Sequence, residues 1–140
     1  MFKVLLSGLV AALLLAATPG PLTAPDVAAF AQLGQFHAPQ GTVFSVVQVR
    51  FVLNAAPVRF GPRMFYMKVG KQTTGISEAT FLEESACDEL GLLRSGARVT
   101  CIVVFEAPST LTTGILLFRT SDARGKPVTF TTPFKVTRRD

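Results

Sequence analysis

From Thr42 to Val136 the chain keeps returning to one pattern: apolar residues at every second position, broken at intervals by turn residues. Successive side chains of a strand point to opposite faces, so this alternation predicts sheet rather than helix. Thr42 to Asn54 (TVFSVVQVRFVLN) places Val43, Val47, Val49, Phe51 and Leu53 on one parity. Met64 to Val69 repeats the habit with Phe65, Met67 and Val69, and Gly70-Lys71 then turns the chain. The Arg94 to Arg98 turn feeds Val99 to Glu106, which Pro108 closes, and Gly114 opens Ile115 to Thr120. Asp122 to Gly125 is a hairpin connection with Gly125 free to take the left-handed position. In the last strand, Val128 to Val136, Pro133 removes a ladder donor and predicts an edge strand or a bulge. Short strands rich in Val, Phe and Thr at this spacing predict an all-β antiparallel sandwich.

One segment departs from the alternation. Ser77 to Gly91 (SEATFLEESACDELG) carries Ala79, Leu82, Ala86 and Leu90 at helical spacing, between an N-cap serine and a C-cap glycine. The expectation is a strand ending near Ile76, followed by a loop or short helix across one end of the sandwich.

The N-terminal residues read differently again. Met1-Phe2-Lys3 is a short basic start, and Val4 to Ala17 is an apolar run. It falls short of the roughly 20 residues that span a bilayer, and Thr18-Pro19-Gly20-Pro21 breaks it. This is the pattern of a secretory signal peptide, with an uncleaved anchor as the alternative. The cut is expected between residues 24 and 31, and Ala29-Phe30-Ala31 fits the small-x-small rule before Gln32. The expected organisation is therefore a leader over 1–31 and a single domain over 32–140. It predicts a secreted, periplasmic or cell-surface protein with no stable membrane span once the leader is removed.

Export gives the two cysteines a meaning. In an oxidising compartment Cys87 and Cys101 are expected to form a disulfide. The closed loop of about 15 residues corresponds to about 3 kcal/mol on chain-entropy grounds. Cys101 shares parity with Val99, Val103 and Phe105, so it should face the core. Two free buried thiols are the alternative. A metal site is not expected, because zinc normally takes four ligands and His37 is the only histidine.

Several stretches together suggest a family. Leu33-Gly34-Gln35, the strand ending VRFVLN at Asn54, the MFYMKVGKQ hairpin and LRSGARVTCIVVFEAP resemble telokin-like, immunoglobulin-fold domains of unknown function. These occur in bacterial secreted proteins and lipoproteins, and small secreted immunoprotective antigens share the general fold. The resemblance spans roughly residues 32 to 137. It implies an immunoglobulin-like antiparallel sandwich with a binding or structural role and brings no catalytic residues. The chain lacks the lipobox cysteine, which argues against a lipid-tethered form.

A catalytic constellation does not emerge. A nucleophilic triad would have to use His37, close to the expected start of the domain. Glu83, Glu84, Asp88 and Glu89 crowd into seven residues but lack the spacing of a calcium loop, and read as a solvated acidic stretch. No phosphate-binding glycine loop is present, and no cofactor is expected. With no tryptophan and one tyrosine, Tyr66, the chain is poor in rings for stacking sugars.

The formal net charge is +5, and Arg50, Arg59, Arg63 and Lys68 form a candidate basic patch. Nucleic acid is not an expected partner, since no basic–aromatic stacking motif accompanies these charges. The sharper expectation concerns apolar residues on the second parity: Phe44, Val46 and Val52, Ile102 and Val104, Leu116 and Phe118. If adjacent and bare, they would form a contact surface for another protein or a second copy. Alternatively, the Ser77 to Gly91 segment or the N-terminal arm covers them, or a bulge shifts the parity midway. The expected function is a non-enzymatic exported module that binds a protein partner or serves as an envelope component. A module binding glycan or anionic envelope polymer through its basic surface is the second candidate.

Overall fold

Two four-stranded sheets face each other across one core in the computed structural model, which describes residues 20–139. The first sheet contains β12 (Arg138–Arg139), β1 (Leu22–Phe30), β4 (Thr42–Val52) and β9 (Arg98–Pro108), in that order. The second contains β11 (Pro127–Lys135), β10 (Thr113–Ser121), β6 (Phe65–Val69) and β7 (Gln72–Gly75). Two small ribbons flank them: β2 (Gln32–Leu33) with β3 (Phe36–His37), and β5 (Val58–Phe60) with β8 (Gly91–Leu93). Helix among the described residues is confined to 3-10 turns at Pro62–Met64 and Glu78–Leu82. The all-β expectation holds; the leader pattern over Met1 to Ala17 lies outside the described residues.

The alternation builds the core directly. Val47, Val49 and Phe51 of β4 and Val103 and Phe105 of β9 are fully buried. They meet Phe65 and Met67 of β6 and Leu116 and Phe118 of β10 from the opposite sheet. Full burial of each such side chain contributes about 1.5–3 kcal/mol. Phe118 stacks on Phe65 with ring centroids 4.7 Å apart and meets Phe51 edge-on at 5.0 Å. Phenylalanine thus supplies the volume that tryptophan provides in many sandwiches.

Both predicted glycine turns form. Gly70, at φ 61°, is the first central residue of the two-residue β6–β7 connection, which closes the Val69–Gln72 pair. Gly125, at φ 83°, completes the β10–β11 turn, where Asp122 Oδ1 accepts the amide protons of Arg124 and Lys126 at 2.9 Å each. The hydrogen bond from Lys126, seconded by that from Arg124, holds the Asp122 carboxyl below its ordinary range. Pro133 sits where its missing donor does least harm, in β11 at the edge of its sheet, opposite Ile115.

One expectation is corrected. The folded unit does not begin at Gln32: β1 pairs with β4 from Leu22 to Phe30, and its Val27 is fully buried. A domain starting at 32 would lose this interior strand. The Ala29-Phe30-Ala31 pattern that suggested a cut is instead the end of β1, where small side chains pack closely, with Ala28 and Ala29 buried. Pro25 is accommodated because the β1–β4 register shifts between Thr23 and Asp26, leaving it exposed at a bulge. The Ser77 to Gly91 segment is a loop with one short helical turn, and it runs along the edge of β9 rather than across one end of the sandwich. Ser77 caps only the short turn Glu78–Leu82, accepting the Ala79 amide proton at 3.1 Å, and Gly91 opens β8 rather than ending a helix.

Candidate functional site

The disulfide is the starting point for the site. Cys87 and Cys101 are bonded, with Cα atoms 4.8 Å apart, and both are buried. Cys101 faces the core from β9, as its parity predicts. Cys87 brings the preceding segment against the outer edge of β9. There the Cys87 amide donates to the Ile102 carbonyl and the Ile102 amide to the Ser85 carbonyl, both at 2.9 Å. Further along, the Ser77 amide donates to the Val104 carbonyl at 2.7 Å. Thr80, fully buried, accepts the Val104 amide proton at 2.8 Å, with its Oγ1 also 3.1 Å from the Val104 carbonyl. Residues 77–87 therefore satisfy the main chain of an edge strand without becoming a regular strand.

The same segment decides the fate of the second-parity apolar residues. Phe44 and Val104 are buried under Ala79 in a small cluster of their own, with Val46 and Ile102 packed half-buried against it. Leu33 and Ala38, from the ribbon side, close the cluster. Val52 is half-buried at the far end of β4, opposite Arg98. Leu116 and Phe118 belong to the other side altogether. They point into the main core with no exposed surface, while Ile115 and Leu117 take the outer parity. The seven residues therefore do not form one bare surface: two are core, and the Phe44–Val104 group is covered around Ala79. The parity of β10 was not readable because Ile115, Leu116, Leu117 and Phe118 are all apolar.

The basic residues also separate. Arg50 is exposed on the outer face of the first sheet, and Lys68 on the outer face of the second. Arg59 is exposed on β5. Arg63 makes a two-pronged pair with Glu78 at 2.9 and 3.1 Å, and its guanidinium lies 5.3 Å from the Phe81 ring centroid. That hydrogen-bonded pairing holds the Glu78 carboxyl below its usual range. The four cations do not make one patch. Among the acidic residues, Glu84 and Asp88 border a shallow hollow beside Arg98, while the Glu89 carboxylate lies over Gly61.

What the structure does bring together is a groove. A cleft of about 410 Å³ lies between the ribbon, at Phe36, His37 and Pro39, and the 3-10 turn, at Glu78 and Leu82, with Phe44 beneath. Two further clefts, of about 230 and 360 Å³, run from it towards β7, and all three share Glu106 of β9. Phe36 and Leu82 flank the first cleft while more than 45 % exposed, at 54 % and 49 %. His37 thus shares a cleft with Ser77 and Glu106. The Ser77 hydroxyl accepts the Ala79 amide proton. Phe36, Leu82 and Glu106 were not singled out by sequence. Each is unremarkable in its local pattern, and only the packing of ribbon, turn and β9 assembles them.

Neither family models nor curated proteins match the chain. Among solved structures, it is similar to one described as a "putative lipoprotein (ycdA)" from Bacillus subtilis, with a TM-score of 0.54 and 16 % identity. The match covers 79 % of this chain and 35 % of that one, so the chain spans about a third of the length of that protein. At such identity the likeness carries the fold alone.

Proposed function

We propose that the protein is an exported, non-enzymatic, immunoglobulin-like module of the telokin type that binds a protein partner along the groove over Glu106. The observation that carries this reading is the pair of exposed apolar side chains, Phe36 and Leu82, on either side of a cleft lined below by Phe44. Exposed apolar residues that converge on a concave surface are what protein contacts use. Export is supported by the buried disulfide, which persists in oxidising compartments, and by the leader pattern at Met1 to Ala17. The immunoglobulin-like assignment is supported by two facing sheets and by the parallel pairing of β12 with β1, which links the last strand of the described residues to the first. The Ser77 hydroxyl that shares the cleft with His37 is engaged as a helix cap, accepting the Ala79 amide proton.

The test is a cross-linked pull-down from native envelope and culture fluid, with the protein and its Phe36→Asp/Leu82→Asp variant as baits. Both positions are exposed, so the variant should keep the parent's thermal midpoint. A defined protein held by the parent and lost by the folded variant is the expected result. Capture of an anionic polymer instead, released steeply by salt, would replace this reading with the polymer-binding one.

A further inference from the structure

Each of the four edges of the two large sheets, among the described residues, is a row of main-chain donors and acceptors that can template another strand. Three are guarded. The β9 edge is covered by the disulfide-tethered segment 77–87. The β11 edge carries Pro127 and Pro133, which have no amide proton to offer. The β12 edge is two arginines long, Arg138 and Arg139, with Arg138 tied to Asp26 at 3.0 Å. The fourth edge, β7, has none of these devices. Its sequence is Gln72-Thr73-Thr74-Gly75, without charge or proline, and every residue is exposed.

We infer that β7 is the docking edge of the groove, where an extended segment of the partner protein, apolar on one face and acidic on the other, adds as a further strand. The inference rests on the protein-binding role proposed above and specifies its mode. Hydrogen bonding follows from the turn. A two-residue connection makes Val69–Gln72 a bonded pair, so Met67–Thr74 is bonded too, while Lys68–Thr73 and Tyr66–Gly75 are not. The amide and carbonyl of Thr73 and Gly75 consequently point away from β6, into the open edge.

The two faces of the added strand would meet different chemistry. Inward side chains would enter the cleft walled by Met67, Val69 and Ala107, about 230 Å³, which suits an aliphatic residue. The Glu106 carboxylate on that wall disfavours an acid there. Outward side chains would lie next to Thr73, with Lys68 one strand further in, on a sheet whose four strands contain no Asp or Glu. Lys68, Lys71 and Arg119 make that side attractive to acidic residues; Arg119 lies 5.0 Å over the Tyr66 ring. Two copies of this chain meeting edge to edge would instead set Lys68 and Lys71 against their own likeness. The charge therefore favours a foreign strand over self-pairing.

The experiment follows amide exchange on the isotopically labelled protein with blocked peptides alternating valine and glutamate, or valine and lysine. The glutamate peptide is expected to protect the Thr73 and Gly75 amides. Methylating its main-chain nitrogens should abolish the effect, a control that needs no variant of the protein. Thr73→Pro should weaken binding roughly tenfold, while Thr73→Ala leaves it unchanged. Three outcomes overturn the proposal: no protection at β7 by any peptide, equal binding of the lysine peptide, or the same protection from self-association without peptide. If a partner is still captured through Phe36 and Leu82, the protein-binding reading survives and only strand addition fails.

Discussion

The edges of β9 and β7 flank the same groove from opposite sheets, yet the chain treats them in contrary ways. Along β9, a segment with no regular structure beyond one 3-10 turn supplies donors and acceptors to Ile102 and Val104, and a disulfide holds it in place. Along β7, four small or polar residues stand bare. The difference lies in what each edge has behind it. The outer face of β9 is apolar at Ile102 and Val104, next to Phe44 and Val46 of β4, so its cover buries side chains as well as main chain. The outer face beside β7 is Tyr66 and Lys68, which water already satisfies. A cover is worth its ordering entropy only where it also removes apolar surface.

That account predicts where the molecule breaks first. Replacing Cys87 and Cys101 together by alanine should lower unfolding free energy by about 3 kcal/mol, the value for a loop of this length. The loss should also be local: the Ile102 and Val104 amides should exchange faster than those of Val47 and Val49, which bond within the sheet. Uniform acceleration across β4, β9 and β10 would mean the disulfide acts only through the unfolded chain and does not anchor the cover. Denaturant titration and amide exchange on the same protein separate the two.

A narrower change sharpens the comparison. Thr80→Val keeps the shape of the cover but removes the oxygen that accepts the Val104 amide proton at 2.8 Å. A buried donor left unpaired costs about 2 kcal/mol. Thr80→Ser, which keeps the oxygen and loses one methyl, should cost about 1 kcal/mol. A loss from Thr80→Ser with none from Thr80→Val would show that Thr80 acts through packing alone.

The contrast also explains how much was legible in sequence. The strands bearing one apolar parity were plain, because a half-buried sheet forces alternation: Val47, Val49 and Phe51 point inward as expected. The disulfide was legible from the expected export and the cysteine number. Strand β1 was not, since its alanines serve equally as close-packing residues and as a cleavage pattern. Where both parities are apolar the phase is set by partners, as Phe65 and Phe130 set it for Phe118 through the pairing of β10 with β6 and β11. The groove was the least legible. Phe36, Leu82 and Glu106 are far apart in sequence, and none breaks its local pattern; they meet only once the cover is docked on β9.

The β12 edge offers the smallest and most specific test, because a charge rather than a disulfide secures it. The hydroxyl of Thr137 donates to Asp26 Oδ1 at 2.7 Å, Arg138 pairs with Oδ2 at 3.0 Å, and the Thr137 amide donates to the Val27 carbonyl at 2.8 Å. The bond from Arg138, then that from Thr137, hold the Asp26 carboxyl below its usual value. A carboxyl depressed in the folded state contributes stability that is fully present above its unfolded pKa, near 4. That contribution is lost as pH falls through the folded value. The Asp26 side chain is 41 % exposed, so salt screens the pairing and the contribution is small. Asp26→Asn should therefore be slightly less stable than the parent at pH 7, with the gap closing in strong acid and narrowing in high salt. Its Thr137 amide should exchange faster while those of Thr73 and Gly75 stay as they were. A gap that persisted unchanged into acid would mean that the pairing geometry of β12, and not the charge on Asp26, keeps this edge closed.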